Sequence, residues 1–159
     1  MRRTLIACFG NVLRGDDGFG IAVLAQLESR TDLPAGVVLI EVGTGGLQLA
    51  QALLDVYERV IVVDAMTNGG VPGSLYVQRV ESVDAAREVD LHVAVPAQAL
   101  AVAQALDVLP AEVYLVGCEP VQVDELHIGL SPAVEATVSR ALRAIDALLA
   151  TPAPMEVAS

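Results

Sequence analysis

Aromatic residues and cysteines are scarce in this sequence. Aromatics make up 3% of the 159 residues, tryptophan is absent and the cysteines number two. Because 54% of the chain is nevertheless hydrophobic, the core must consist of aliphatic side chains packed as strands and helices. Cys8 and Cys118 each lie near the end of an apolar run and lack CxxC spacing, so we expect buried, reduced thiols.

Basic residues are also few. Nine Lys and Arg stand against 20 Asp and Glu, which gives a formal net charge of -11. Such a charge opposes the phosphate neutralisation on which nucleic-acid binding depends, and no basic cluster provides a local exception. We therefore expect neither nucleic acid nor an anionic membrane as a partner.

The sequence has no long hydrophobic run that could span a bilayer. Its most apolar window, 91–109, contains His92, Pro96 and Asp107, too polar a set for the roughly 20 apolar residues that a membrane helix needs. The apolar stretch at the start of the chain is too short for a signal peptide. We expect a cytoplasmic protein.

Segments typical of strands alternate with segments typical of helices. The predicted strands are 4–9, 37–42, 60–63, 74–80 and 113–117, and the predicted helices are 21–27, 47–56, 96–107 and 132–150. This alternation predicts an α/β three-layer sandwich: a twisted, mostly parallel five-stranded sheet with helices on both faces, in which 74–80 is an edge strand that can run antiparallel. Residues 1–150 are predicted to form a single domain and 151–159 a disordered tail.

Acidic side chains stand where two of the predicted strands end. Asp16 and Asp17 lie in a glycine-rich loop after the first strand, and Asp64 ends the apolar run of the third. Open α/β sheets bind their ligands at the carboxyl ends of strands. His92, which precedes a later predicted helix, is a third candidate at this edge. Two carboxylates and an imidazole suit Zn, Ni, Fe or Mn, and they could instead activate water directly.

Each of these residues also has a purely structural interpretation. Asp16 and Asp17 would be favourable at a helix N-terminus without any chemistry. Asp64 could cap a turn, although a carboxylate after an apolar strand is costly without a partner. Nothing in the local spacing links His92 to the two carboxylates, and a structural role is favoured for His127. The residues alone leave both interpretations open.

Common hydrolase and nucleotide-binding signatures are missing. The sequence has no Gly-x-Ser-x-Gly elbow and no His-Glu-x-x-His helix. The loop 43–46 is rich in glycine but lacks the Lys-Ser/Thr pair of a phosphate-binding P-loop. Nucleotide binding is therefore only an alternative.

Five motifs follow one another along nearly the whole chain. They are Gly10-Asn11 through Asp16-Asp17-Gly18-x-Gly20, Gly43-Thr44-x-Gly46, Val63-Asp64-Ala65, His92, and His127-Ile128-Gly129-Leu130-Ser131-Pro132. In this order and spacing they resemble the hydrogenase maturation protease family. The resemblance implies a metal-binding cleft formed by Asp17, Asp64 and His92, with Asp17 and Asp64 as the catalytic carboxylates of an aspartyl-type endopeptidase.

The resemblance also implies a substrate. It is the large-subunit precursor of a [NiFe] hydrogenase, whose C-terminal extension is removed after nickel insertion, with the nickel supplied by the substrate as a recognition element and no organic cofactor. Two alternatives stay open: a nickel-sensing binding module without peptidase activity, and a flavodoxin-like phosphate or nucleotide binder. The chain departs from the family at Asp17, where some relatives carry Glu, and at Pro96, which requires either His92 in the preceding loop or a kinked helix.

Overall fold

All five strands form one sheet. The structure is a computed structural model and describes residues 2–43, 47–81, 94–121 and 126–152. Its strands are β1 (Thr4–Phe9), β2 (Val37–Gly43), β3 (Arg59–Ala65), β4 (Leu75–Arg79) and β5 (Glu112–Cys118). In the order β2-β1-β3-β5-β4, every neighbouring pair is parallel except β4 and β5. The predicted fold class, including the antiparallel edge strand, is confirmed.

Helices pack on both faces of this sheet. They are α1 (Phe19–Glu28), α2 (Leu47–Ala52), α3 (Ala94–Ala105) and α4 (Pro132–Ala150), with a 3-10 turn at Gly15–Gly18 before α1. Successive side chains of β1 point to opposite faces, so Leu5 packs with α2 and α3 while Ile6 packs with α1 and α4. The two faces therefore bury separate aliphatic cores.

Both cysteines lie in the core that faces α1 and α4. Cys8 and Cys118 are free and fully buried, as the sequence predicts. Burial raises the pKa of Cys8 to about 12, with further increases from nearby carboxylates. A thiol with such a pKa stays protonated and unreactive at neutral pH.

Two helices have boundaries that differ from the prediction. Helix α2 ends at Ala52, whereas the sequence predicted Val56, and Leu54 and Val56 are largely exposed beyond it. Helix α3 begins at Ala94, so Pro96 is its third residue. A proline is tolerated in the first turn because the N–H it lacks has no partner within the helix there, and no kink is required.

The end of α4 is tied to the amino-terminal edge of the sheet. The side chain of Arg59, 1% exposed, donates hydrogen bonds to the carbonyl oxygens of Leu148 and Thr151 and lies 3.5 Å from the carboxylate of Glu112. These bonds satisfy carbonyls that the last turn of a helix leaves without partners. Residues 153–159 of the predicted tail lie outside the described residues. Within the described ranges, no helix has the length and apolar composition needed to cross a bilayer.

Candidate active site

The candidate site lies at the carboxyl edge of the sheet, between β1 and β3. From β1 the chain continues to β2 on one side of β1, and then returns to β3 on the other side. The strand order therefore reverses between β1 and β3. Asp17 lies in the 3-10 turn after β1, and Asp64 is the sixth residue of β3. This reversal point is where open α/β sheets bind ligands.

Glycines bring the first loop down onto the strand ends. A Cβ atom on Gly20 would lie 2.2 Å from the carbonyl oxygen of Phe9 and 2.7 Å from that of Val63. A Cβ atom on Gly10, whose φ is +142°, would lie 2.2 Å from the carbonyl oxygen of Asp17. The Gly-rich motif therefore lets the turn that carries Asp17 pack against the end of β3, next to Asp64.

The charge of Asp17 acts on the Asp64 carboxyl group. Burial, followed by the negative charge of Asp17, raises the pKa of Asp64 to about 8, although a hydrogen bond from the backbone of Ala65 opposes the increase. Burial also raises the pKa of Asp17, while the charge of Arg14 and the backbone N–H of Asn11 oppose it. Burial and the nearby charge therefore favour the protonated form of Asp64.

Asp16, the neighbour of Asp17, has a different role. Its side chain, 2% exposed, accepts hydrogen bonds from the backbone N–H groups of Val121 and Ser131, at 2.8 and 2.7 Å, and from the Ser131 hydroxyl at 2.8 Å. Asp16 therefore holds the first loop against the segments before α4 and after β5. Asp16 is thus a positioning residue for the loop that carries Asp17.

The same contact occupies the side chain at the start of α4. Ser131 is the N-cap residue and Pro132 follows it, an order typical of helix starts, but the Ser131 side chain makes no cap hydrogen bond. Its hydroxyl bonds to Asp16 instead. The structure likewise shows no side-chain cap bond at the N-cap positions of the 3-10 turn, Arg14, and of α1, Gly18.

His127 contributes its backbone to the first loop. Its N–H donates to the carbonyl oxygen of Leu13 at 3.0 Å, and its carbonyl accepts from Gly15 at 2.7 Å, which forms a short parallel bridge. The imidazole lines a cavity of about 260 Å³ beside Asp16 and Ser131. The structural role expected for His127 therefore comes from its main chain.

A buried glutamate that the sequence analysis overlooked organises the loop after Asp64. The carboxylate of Glu119, 4% exposed, accepts hydrogen bonds from the Asn68 backbone N–H at 2.7 Å and from the Tyr76 hydroxyl at 3.2 Å. Burial and this carboxylate raise the pKa of Tyr76. Glu119 directly follows the apolar strand β5, much as Asp64 follows the apolar run of β3. A carboxylate after an apolar strand is therefore a signal by which Glu119 could have been predicted.

Other predicted site residues lie outside the described part of the chain. They are His92 and residues 44–46 of the glycine-rich loop after β2. Among the residues that are described, no group of three or more His, Cys, Asp or Glu side chains could hold a metal ion. The described donors are the Asp17 and Asp64 carboxylates, an adjacent acidic pair whose mutual repulsion a cation would relieve.

Comparison with known proteins now identifies the family. Residues 21–147 match the family described as hydrogenase maturation protease. The chain belongs to the hydrogenase maturation protease family. The resemblance drawn from the five motifs is thereby confirmed, and this family member is a protease.

Individual relatives agree with this assignment. The protease is 35% identical to the hydrogenase expression/formation protein HupD of Rhodobacter capsulatus, over 88% of this chain and 68% of the relative. The structure of the hydrogenase maturating endopeptidase HybD of Escherichia coli superposes with a TM-score of 0.82 at 31% identity, covering 92% of this chain and 91% of that one. The [NiFe] hydrogenase maturation protease HybD of Thermococcus kodakarensis has a TM-score of 0.77 at 27% identity, covering 92% and 99%.

Proposed function

We propose that this protease removes the C-terminal extension of a [NiFe] hydrogenase large-subunit precursor after nickel insertion. The observation that carries the proposal is the pairing of Asp17 and Asp64 at the reversal point of the sheet. The printed names of its relatives, a hydrogenase maturating endopeptidase and a [NiFe] hydrogenase maturation protease, support the class of substrate. The cytoplasm is the proposed site of action.

The unequal protonation of the two carboxyl groups suits an aspartyl-type hydrolysis. Ionised Asp17 accepts a proton from the attacking water, while protonated Asp64 donates its proton to the oxygen of the scissile carbonyl. When the tetrahedral intermediate collapses, the C–N bond breaks, the leaving nitrogen takes up a proton from Asp17, and Asp64 recovers its proton from the hydroxyl of the intermediate. Both groups return to their starting state, and one water is consumed per bond.

The same acidic pair supports recognition of nickel as part of the substrate. Two carboxylate oxygens, with the imidazole of His92 as a third donor, form a ligand set that nickel accepts. Nickel held by both carboxylates favours the ionised form of Asp64. Recognition therefore comes first in this proposal, and Asp64 takes up the proton that it later donates once the nickel has left the pair. The protease would thereby distinguish a nickel-loaded precursor from an empty one, with no organic cofactor.

The test is mass spectrometry of the cognate precursor after incubation with the protease, with and without nickel. We expect loss of a C-terminal peptide from the nickel-loaded precursor only, and no loss with the Asp17→Asn, Asp64→Asn or His92→Ala variants. Asp55→Asn is the matched control, since Asp55 is exposed and lies after α2, away from the carboxyl edge. An unchanged precursor mass under confirmed nickel loading would instead indicate a binding module without peptidase activity.

A further inference from the structure

The three residues that follow β5 lie between the two candidate catalytic loops. Strand β5 runs parallel to β3, and its last residue, Cys118, pairs with Ala65, the residue after Asp64. Residues 119–121 therefore begin at the sheet edge directly beside the end of β3. We call them the bridging segment.

Glu119 binds the loop that follows Asp64 through its backbone and its side chain. Its N–H donates to the carbonyl oxygen of Ser74 at 2.9 Å, and its carbonyl accepts from the N–H of Gly73 at 2.8 Å. Its buried carboxylate accepts from the N–H of Asn68 at 2.7 Å. One residue thus holds the early part of this loop and its return to the sheet.

Val121 binds the other candidate catalytic loop. Its backbone N–H donates to the buried Asp16 carboxylate at 2.8 Å, and Asp16 precedes Asp17 in the 3-10 turn after β1. Strands β1 and β5 lie on opposite sides of β3 in the sheet. The bond between Asp16 and Val121 therefore joins segments from the two sides of the strand that carries Asp64.

Pro120 stiffens the connection between these two contacts. Its ring fixes φ at about −65°, which removes one of the few backbone rotations that separate Glu119 from Val121. A displacement of one loop is therefore transmitted to the other loop, because the bridging segment is too short and too rigid to absorb it.

We propose that the bridging segment fixes the separation of Asp17 and Asp64, with Glu119 as its positioning residue. This inference rests on the proposed function, in which both carboxyl groups act on the same peptide bond. Proton transfers at one bond require both groups within hydrogen-bond reach, and a misplacement of about 1 Å can lower a rate about a hundredfold. A segment that is bonded to both loops provides such placement.

Cleavage of the nickel-loaded precursor at saturating concentration tests the role of Glu119. Glu119→Ala removes the side-chain acceptor, and we expect kcat to fall about tenfold or more. The hydrogen bonds from the Asn68 N–H and the Tyr76 hydroxyl both end on Oε2 of Glu119, so the amide oxygen of Glu119→Gln can accept both. We expect this conservative variant to keep kcat within about threefold of the wild type, since only the charge of the acceptor is lost.

Glu112→Ala is the matched control for Glu119→Ala. Glu112 is also a buried glutamate, and it begins the strand after which Glu119 stands, so its loss destabilises the opposite end of β5. We expect its kcat to equal that of the wild type at a temperature where circular dichroism shows every variant to be folded. An unchanged kcat in Glu119→Ala overturns the inference, and so does an equal loss of kcat in Glu112→Ala.

Hydrogen exchange tests the connection between the loops without any cleavage. Asp16→Asn weakens the contact with Val121, and we expect exchange at the Asn68 amide to become about fivefold faster relative to amides in the middle of β3. A second route to the same loop runs through α4, where the Thr137 hydroxyl donates to the Gly73 carbonyl at 2.6 Å. The effect of Asp16→Asn should persist in a Thr137→Val background.

The exchange experiment separates failure of this inference from failure of the proposed function. If the wild-type protein leaves the nickel-loaded precursor uncut, the proposed function fails, and faster exchange at Asn68 in Asp16→Asn still supports the bridging segment. Unchanged exchange at Asn68 refutes the bridging segment even where the precursor is cut normally.

Discussion

Replacement of Asp16 by Asn tests whether a single buried carboxylate holds the catalytic loop in place. The carboxylate accepts three hydrogen bonds, from the N–H of Val121 and from the N–H and hydroxyl of Ser131. An amide of the same shape has only one acceptor atom, so its NH2 group must face at least one of the backbone donors. A buried N–H left without an acceptor costs about 1–3 kcal/mol, and hydrogen bonds to a charged group contribute about 1.5–3 kcal/mol each. We expect Asp16→Asn to lower the free energy of unfolding by about 3 kcal/mol.

Urea denaturation followed by circular dichroism measures this change. In a chain of this size, 3 kcal/mol corresponds to a decrease in Tm of roughly 6–12 °C. Cleavage activity should fall as well at temperatures where the variant is fully folded, because the turn that carries Asp17 loses its anchor. A stability within about 0.5 kcal/mol of the wild type, the range of ordinary surface substitutions, would refute the reasoning.

A double-mutant cycle with Ser131 locates the interaction. Ser131→Ala removes one of the three donors and should cost about 1.5–3 kcal/mol, as for a hydrogen bond to a charged group. Because both substitutions act on the same contact, the Asp16→Asn/Ser131→Ala variant should be more stable than the sum of the single effects predicts. Asp55→Asn, on an exposed carboxylate after α2, is the control and should leave stability unchanged.

Three further substitutions probe the site and the opposite edge of the sheet. The pKa of Asp64 in the folded protein, about 8, lies above its unfolded value of 3.8, so the free energy of unfolding falls as pH rises from about 4 to 8. Asparagine does not titrate, so Asp64→Asn should gain stability relative to the wild type across that interval in metal-free denaturation. Gly20→Ala places a methyl group against two backbone carbonyls and should cost about 1–3 kcal/mol or more with loss of activity, measured by urea denaturation against the wild type. Arg59→Met removes hydrogen bonds from a charged donor to the carbonyls of Leu148 and Thr151, each contributing about 1.5–3 kcal/mol, and leaves Glu112 with Arg2 as an ion-pair partner. It should cost about 3–5 kcal/mol in urea denaturation while kcat is retained.

Each of these three has an outcome that contradicts it. A stability difference between wild type and Asp64→Asn that does not change with pH would mean that the carboxyl group titrates alike in the folded and unfolded states. A free energy of unfolding for Gly20→Ala equal to that of the wild type would remove the steric explanation for Gly20. A selective loss of kcat in Arg59→Met, without loss of stability, would place that arginine in the catalytic machinery rather than under the end of α4.

The sequence by itself determined the elements and their layers. Strand β1 and helix α4 have the predicted bounds, 4–9 and 132–150, because an uninterrupted apolar run and a helical stripe preceded by Ser-Pro are strong local signals. The sequence also placed Asp17 and Asp64 at one edge of the sheet, since the carboxyl ends of parallel strands share that edge. The end of α2 was predicted less well, because the apolar residues Leu54 and Val56 continue the pattern without being buried.

Only the tertiary structure shows that Asp16 and Asp17 have different roles. The two residues are identical and adjacent, so no local pattern distinguishes them. One accepts hydrogen bonds from residues 105 and 115 positions away, whereas the other lies close enough to Asp64 to raise its pKa. Contacts between residues far apart in the chain depend on how the helices and loops pack against the sheet. They therefore cannot be predicted from the local sequence.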